Sequence, residues 1–138
     1  MTPENQHDDD SAHDTPKYLI QIETSSEFVA EQSDPDEDRY VFAYRIRIHN
    51  AGSAPARLIS RHWVITDANG KVQEVRGEGV VGEQPMIAPG EVYEYSSGSS
   101  IPTAVGTMRG SYQMRGEDGF AFDALIPEFL LAGPRILH

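Results

Sequence analysis

The sequence predicts an all-β protein, an antiparallel β-sandwich of seven to eight strands, and three observations carry that prediction. Apolar residues recur with a period of two through several short runs, and turn signals separate these runs every 8–14 residues or so. No stretch sustains the helical period beyond two turns, which excludes bundles and α/β architectures. A closed barrel would satisfy the same pattern.

The elements follow in order. Met1 to Pro16 contains Asp8, Asp9, Asp10, Asp14, His7 and His13 and almost no apolar side chain, so residues 1–16 are expected to form a disordered acidic tail. From Lys17 the β-rich run Tyr18 to Ile22 begins, and Phe28 and Val29 form a second apolar group before the acidic loop Asp34 to Asp38. Arg39 to Asn50 alternates, with Tyr40, Phe42, Tyr44, Ile46 and Ile48 on one face. Ala51 to Ser53 breaks that strand. Pro55 opens another, through Leu58, Trp63 and Ile65, and Asn69-Gly70 is read as a type I′ hairpin turn returning Lys71 to Arg76 antiparallel.

Gly77 to Pro89 reads as a glycine- and proline-rich connection, followed after Pro89-Gly90 by the short strand Glu91 to Tyr95. The small polar stretch Ser96 to Gly106 is read as a loop. Thr107 to Met114 alternates again, Gly116 to Gly119 turns the chain, and Phe120 to Ile126 continues until Pro127, which favours an edge strand. Trp63, in the middle of its strand, is expected to bridge two sheets rather than stack on a ligand. Residues 17–138 thus make one domain, large enough to bury roughly two-thirds of its unfolded surface.

The net charge is -11, and its position matters more than its size. Residues 1–38 hold twelve acids and one base, Lys17, whereas the remainder holds ten of each. A body without clustered Lys and Arg argues against nucleic-acid binding through the phosphate backbone. No apolar run approaches the ~20 residues that cross a bilayer, and the start lacks a basic region followed by an apolar one. The expected localisation is therefore cytoplasmic, with no membrane partner. Without cysteine there is no disulfide, thiol nucleophile or Cys-ligated zinc.

Gly77-Glu-Gly79-Val-Val-Gly82 matches the G-x-G-x-x-G string of dinucleotide loops. That motif needs a helix after the last glycine, and Pro85 and Pro89 prevent one. What remains is either a backbone amide nest for phosphate or carboxylate oxygens, or an inter-strand connection that needs positive φ. Arg57, Arg61 and Arg76, sharing a face with Arg45 or Arg47, would form a small positive patch and complete an anion site with Gly77, Gly79 and Gly82. The His and Asp residues of the tail could hold a divalent ion only loosely, having no rigid second shell, and Asp34 to Asp38 lack the spacing and glycine of an EF-hand loop, so no metal and no cofactor is expected. His49, His62 and His138 lie in no recognised catalytic string, and no catalytic residue is assigned.

Several strings together resemble the ApaG family of bacterial proteins and domains. They are Arg39-Tyr-Val-Phe-Ala-Tyr44, Ser60-Arg-His-Trp63, Ile65-Thr-Asp67, Gly77-Glu-Gly-Val-Val-Gly-Glu-Gln-Pro85, Ile87-Ala-Pro-Gly90, Tyr93-Glu-Tyr95, Ser97-Gly98, Gly106-Thr-Met108 and Ile126-Pro127. The resemblance spans Lys17 to His138 and implies a fibronectin type III-like, or immunoglobulin-like, sandwich. It also implies a protein-interaction role, because the domain recurs in eukaryotic F-box proteins and in a DNA polymerase delta-interacting protein. The bacterial family is linked to cobalt and magnesium resistance, and its gene commonly neighbours that for diadenosine tetraphosphatase. The expected function is a non-enzymatic module that binds a protein partner. The alternative is a protein that binds pyrophosphate or a nucleotide, a phosphate-containing small molecule, through Gly77 to Gly82.

Overall fold

The computed structural model describes residues 15–134, so the acidic tail expected over 1–16 lies, apart from Thr15 and Pro16, outside the described residues. Period-two alternation becomes two antiparallel sheets. The strands are β1 (Ile20–Phe28), β2 (Tyr40–Asn50), β3 (Ala56–Asp67), β4 (Val72–Glu78), β5 (Met86–Ile87), β6 (Val92–Ile101), β7 (Val105–Gly116) and β8 (Ala121–Ala132). One sheet has the order β1-β2-β6; the other runs β4-β3-β7-β8, with β5 paired to β3 beside β4. Two separate ladders make a sandwich and dispose of the barrel. None of the described residues form a helix long and apolar enough to cross a membrane.

The core sits where the alternation placed it. Phe42, Ile46 and Ile48 of β2 are fully buried against Leu58, Met108, Tyr112 and Met114 of the opposite sheet. Trp63 is 2% exposed and packs edge-to-face on Tyr44, Tyr112 and Phe129, bridging both sheets as expected. Two bulges adjust the phase. In β3 the pairing with β7 shifts between Leu58 and Ser60, so Ile59 is an extra residue. In β8 the shift falls around Pro127, where a residue without an N–H costs the ladder nothing.

The fold corrects three local expectations. Strand β1 continues through Ser25, Ser26 and Glu27, because β2 supplies a partner for every residue from Ile20 to Phe28. Ser96 to Ile101 is strand rather than loop: β6 pairs with β2 from Val92↔His49 to Ile101↔Tyr40, and tertiary pairing outweighs the weak β-propensity of serine and glycine. At Asn69-Gly70 only Gly70 has positive φ, and Gly70 N–H bonds the carbonyl of Asp67. This is a type I turn closed by a glycine bulge, fixed by the Asp67 carboxylate accepting from the amides of Asn69 and Lys71.

Buried Asn50 ties the start of β3 to β5. Its Nδ2 donates to the carbonyls of Ala54 and Ile87, both at 2.9 Å, and its Oδ1 accepts from Gly52 N–H. Replacing Asn50 with Ala strands those groups, and urea unfolding should show a loss of about 2–4 kcal/mol.

Near the start of the described chain, Lys17 and Tyr18 donate to the two oxygens of Asp118 at 2.9 and 2.6 Å. Those bonds hold the Asp118 carboxyl well below its ordinary value of 3.8. A depressed folded-state pKa means the stabilisation is complete above pH 3.8 and is lost progressively as pH falls from there through the lower folded value. The Asp118 carboxyl resonance should therefore titrate below the usual carboxylate range, and Tyr18→Phe should move it back up.

Candidate functional site

The two sides of the sandwich are closed differently. On one side edge strands β1 and β8 lie against each other, with the Ser26 hydroxyl donating to the Leu130 carbonyl at 2.7 Å. On the other side β4 and β6 stand apart, and three cavities of ≈ 270, ≈ 350 and ≈ 380 Å³ follow one another along the gap. Serine at the inward positions of β6 is the cause. Tyr93, Tyr95, Ser97, Ser99 and Ile101 all point inward by alternation, yet Ser97 is exposed, because nothing larger than a hydroxymethyl fills its place.

The opposite wall comes from β3 and β4, whose inward residues pair as Arg61↔Gly77, Trp63↔Val75 and Ile65↔Gln73. The seam therefore has three levels. Arg61, Tyr44, Tyr95 and Ser97 surround the first cavity, with Val81 and Gly82 at its lip. Trp63, Val75, Met108 and Ser99 line the second. Ile65, Val72, Ile101 and Pro102 make the third mostly apolar, with Lys71 and Asp67 at its rim.

Arg61 reaches the seam because of the Ile59 bulge. Before it Arg57 points outward and Leu58 inward; after it Arg61, Trp63 and Ile65 point inward. Arg61 Nη1 donates to the carbonyls of Glu78 and Gly79 at 3.0 and 2.8 Å. The guanidinium lies across Gly77, where a Cβ would come within 2.7 Å of Nη2. Tyr44, Tyr95 and Tyr112 cluster around it, the last two with hydroxyls 2.5 Å apart. Burial raises all three phenol pKa values above the ordinary tyrosine range, while the Arg61 charge pulls each of them down. The indole N–H of Trp63 is buried with no acceptor among the described residues.

The expected anion-site residues do not form one patch. Gly77, Gly79 and Arg61 come together and Gly82 borders the same cavity. Arg57 lies on the outer face, donating to the Gln84 carbonyl at 2.7 Å. Arg76 is exposed beside Glu74, 3.6 Å away, in register with His62. Arg45 and Arg47 belong to the other sheet, Arg47 paired with Glu94 and Glu23. The bulge is the physical reason: one inserted residue sends Arg57 and Arg61 to opposite faces.

The glycine loop is an inter-strand connection. Gly79 N–H bonds the Ile59 carbonyl, and Val80 and Glu83 exchange N–H···O bonds across a tight turn. Its central residues, Val81 and Gly82, both have positive φ, 42° and 82°, the signature of a type I′ turn. Three amides of the loop are thus spent on the chain's own carbonyls. A Cβ on Gly79, at φ 60°, would lie 2.2 Å from the Glu83 carbonyl oxygen, whereas the Gly82 position is open. Gly79→Ala should lower stability by about 2 kcal/mol or more, while Gly82→Asn should be near neutral, both read by urea unfolding.

Sequence reasoning missed Tyr44, Tyr95, Ser97 and Ser99 as one site. The signal was present: the parity of Tyr93 and Tyr95 continues through Ser97 and Ser99 to Ile101. Outside the seam, His62 Nε2 lies 2.7 Å from Glu74 Oε1, and this hydrogen bond is the main cause of the lowered Glu74 pKa. Among the described residues no three His, Asp or Glu side chains converge as a metal site would require.

Comparison with known proteins gives a consistent picture. The family pattern described as the ApaG domain matches residues 30–116. The chain is 67% identical over 122 residues to Protein ApaG of Aromatoleum aromaticum, spanning 88% of this chain and 96% of that protein. It is 61% identical over 125 residues to Protein ApaG of Dechloromonas aromatica, spanning 91% and 98%. A crystal structure of a Bordetella pertussis protein, 55% identical, superposes with a TM-score of 0.85 over 88% of this chain and 99% of the other.

Proposed function

The chain belongs to the ApaG family, and from that premise we propose that it is a cytoplasmic, non-enzymatic module that binds another protein along the seam between β4 and β6. One observation carries the reading. Strand β6 is a ten-residue edge whose only charged side chain is Glu94, and which contains no proline and no lysine. Edge strands of soluble proteins ordinarily carry such guards, because a free ladder recruits any extended chain. The other edges are treated differently: β1 and β8 cover each other, and β4 carries Glu74, Arg76 and Glu78. A long unguarded edge next to a cleft suits strand addition. The family's link to cobalt and magnesium resistance is then indirect, exerted through the partner.

A photo-crosslinking residue tests this in cells. Placed at Ser100, on the exposed face of β6, it should capture a specific protein; placed at Asp123, on the exposed face of β8, it should not. Gly98→Pro should abolish capture from Ser100 with the fold intact. Equal adducts from both positions, or none from either, would count against the proposal.

Arg61 also favours a second reading, a phosphate-containing small molecule at the lip of the glycine loop. It has no carboxylate partner among the described residues. Under this reading, pyrophosphate titrated to millimolar concentration shifts the amides of Gly77 to Gly82; a flat titration removes it.

A further inference from the structure

We propose that the seam selects an extended partner segment carrying an acidic residue and, at the two nearest alternate positions to one side of it, apolar ones, added as a strand to β6 with its carboxylate seated on Arg61. The inference rests on the protein-binding reading and adds the chemistry of what is bound.

The first cavity gathers Arg61 with three hydroxyl side chains, and Glu78 also lines it. Arg61 presents five N–H groups, and among the described residues only Nη1 has acceptors, the carbonyls of Glu78 and Gly79. Those two bonds hold the guanidinium in place and leave its charge without a counter-ion among the described residues. Around it stand the hydroxyls of Tyr44, Tyr95 and Ser97. Tyr95 and Tyr112 share one hydrogen bond, which uses one of their two hydroxyl protons and leaves the other to point elsewhere. A fixed guanidinium flanked by hydroxyl donors is complementary to a carboxylate.

The third level is mostly apolar, lined by Ile65, Val72, Ile101 and Pro102, and the second is mixed, its Trp63, Val75 and Met108 set beside Gln73 and the serines of β6. Spacing along the seam is set by β6 itself, since Ser97, Ser99 and Ile101 face the three cavities in turn. An added strand has the same two-residue repeat, so its consecutive inward side chains meet the guanidinium, the Trp63 cavity and the Ile65 cavity. Val81, exposed at the lip with φ 42°, extends the apolar wall beyond Arg61. A second copy of this chain is a poor occupant. Its own β6 would bring Ser97 and Ser99 inward, and its one acid, Glu94, is paired with Arg47 at 3.1 Å.

The test selects a random decapeptide display library on the immobilised full chain, then measures one enriched synthetic peptide by calorimetry. Enriched sequences should carry Asp or Glu with apolar residues at alternate positions. Arg61→Gln keeps a donor for the Glu78 and Gly79 carbonyls but removes the charge, and should weaken the peptide about tenfold or more. Ser97→Glu, at an exposed position, supplies Arg61 with an internal carboxylate and should weaken it comparably, so the outcome does not depend on the loop tolerating a changed Arg61. Ser99→Trp, which fills the second cavity, should abolish binding. Enriched peptides with no acidic preference, or binding unchanged in Arg61→Gln and Ser97→Glu, overturn this inference and leave protein binding standing. Binding unchanged in Gly98→Pro and Ser99→Trp moves the interface off the seam and overturns both readings, as does failure to enrich any sequence. Displacement of the peptide by millimolar pyrophosphate, with pyrophosphate itself shifting Gly77 to Gly82, assigns Arg61 to a phosphate ligand instead.

Discussion

One inserted residue decides what the inner wall of this sandwich is made of. Strand β3 enters the sheet with Ala56 and Leu58 facing the core, and without a bulge the inward set would continue through Ser60, His62 and Val64. Ile59 shifts the phase, so that Arg61, Trp63 and Ile65 turn inward instead. A strand has a period of two, and a one-residue slip therefore exchanges its two faces completely. Trp63 becomes the ring on which Tyr44, Tyr112 and Phe129 pack, and Arg61 becomes a charge inside the mouth of the sandwich. The outer face receives Ser60 and His62, which find polar partners in Gln113 and Glu74.

A half-buried guanidinium needs acceptors for its donors. Backbone supplies them for Nη1: β4 has glycine at 77 so that the guanidinium can lie across it, and the loop beyond turns the carbonyls of Glu78 and Gly79 toward that nitrogen. The G-x-G-x-x-G string thus has a structural account in which each glycine does something different. Gly77 makes room, Gly79 takes a φ and an approach to Glu83 that no side chain fits, and Gly82 completes the type I′ turn with Val81. Positive φ at a β-branched residue such as Val81 carries strain, and that strain sits at the lip of the seam.

The seam itself follows from a difference in side-chain size along β6. Tyr95 and Ile101 fill their share of the space between the sheets; Ser97 and Ser99 do not. The opposite edge of the sandwich has no such gap, since β1 and β8 close on each other. The overall charge has little bearing on this region, because the acidic excess belongs to residues 1–38 while the body is balanced. What matters at the seam is the local inventory: a guanidinium and hydroxyls at one end, and apolar walls with Lys71 and Asp67 at their rim at the other.

Fold class, the inward face of β2, the core position of Trp63 and the hairpin between β3 and β4 are legible in the residues alone, because each depends on a local period or turn residue. The strings the chain shares with the ApaG family are equally legible, being local in sequence. Tertiary structure alone decided that Ser96 to Ile101 is a strand, since serine and glycine extend only when a neighbour such as β2 supplies a ladder. It also decided that Arg57, Arg61 and Arg76 face different directions. A bulge is a property of a pair of strands, and neither strand reveals it alone. The open seam has the same origin, because a gap between two edges is defined only when both sheets are in place.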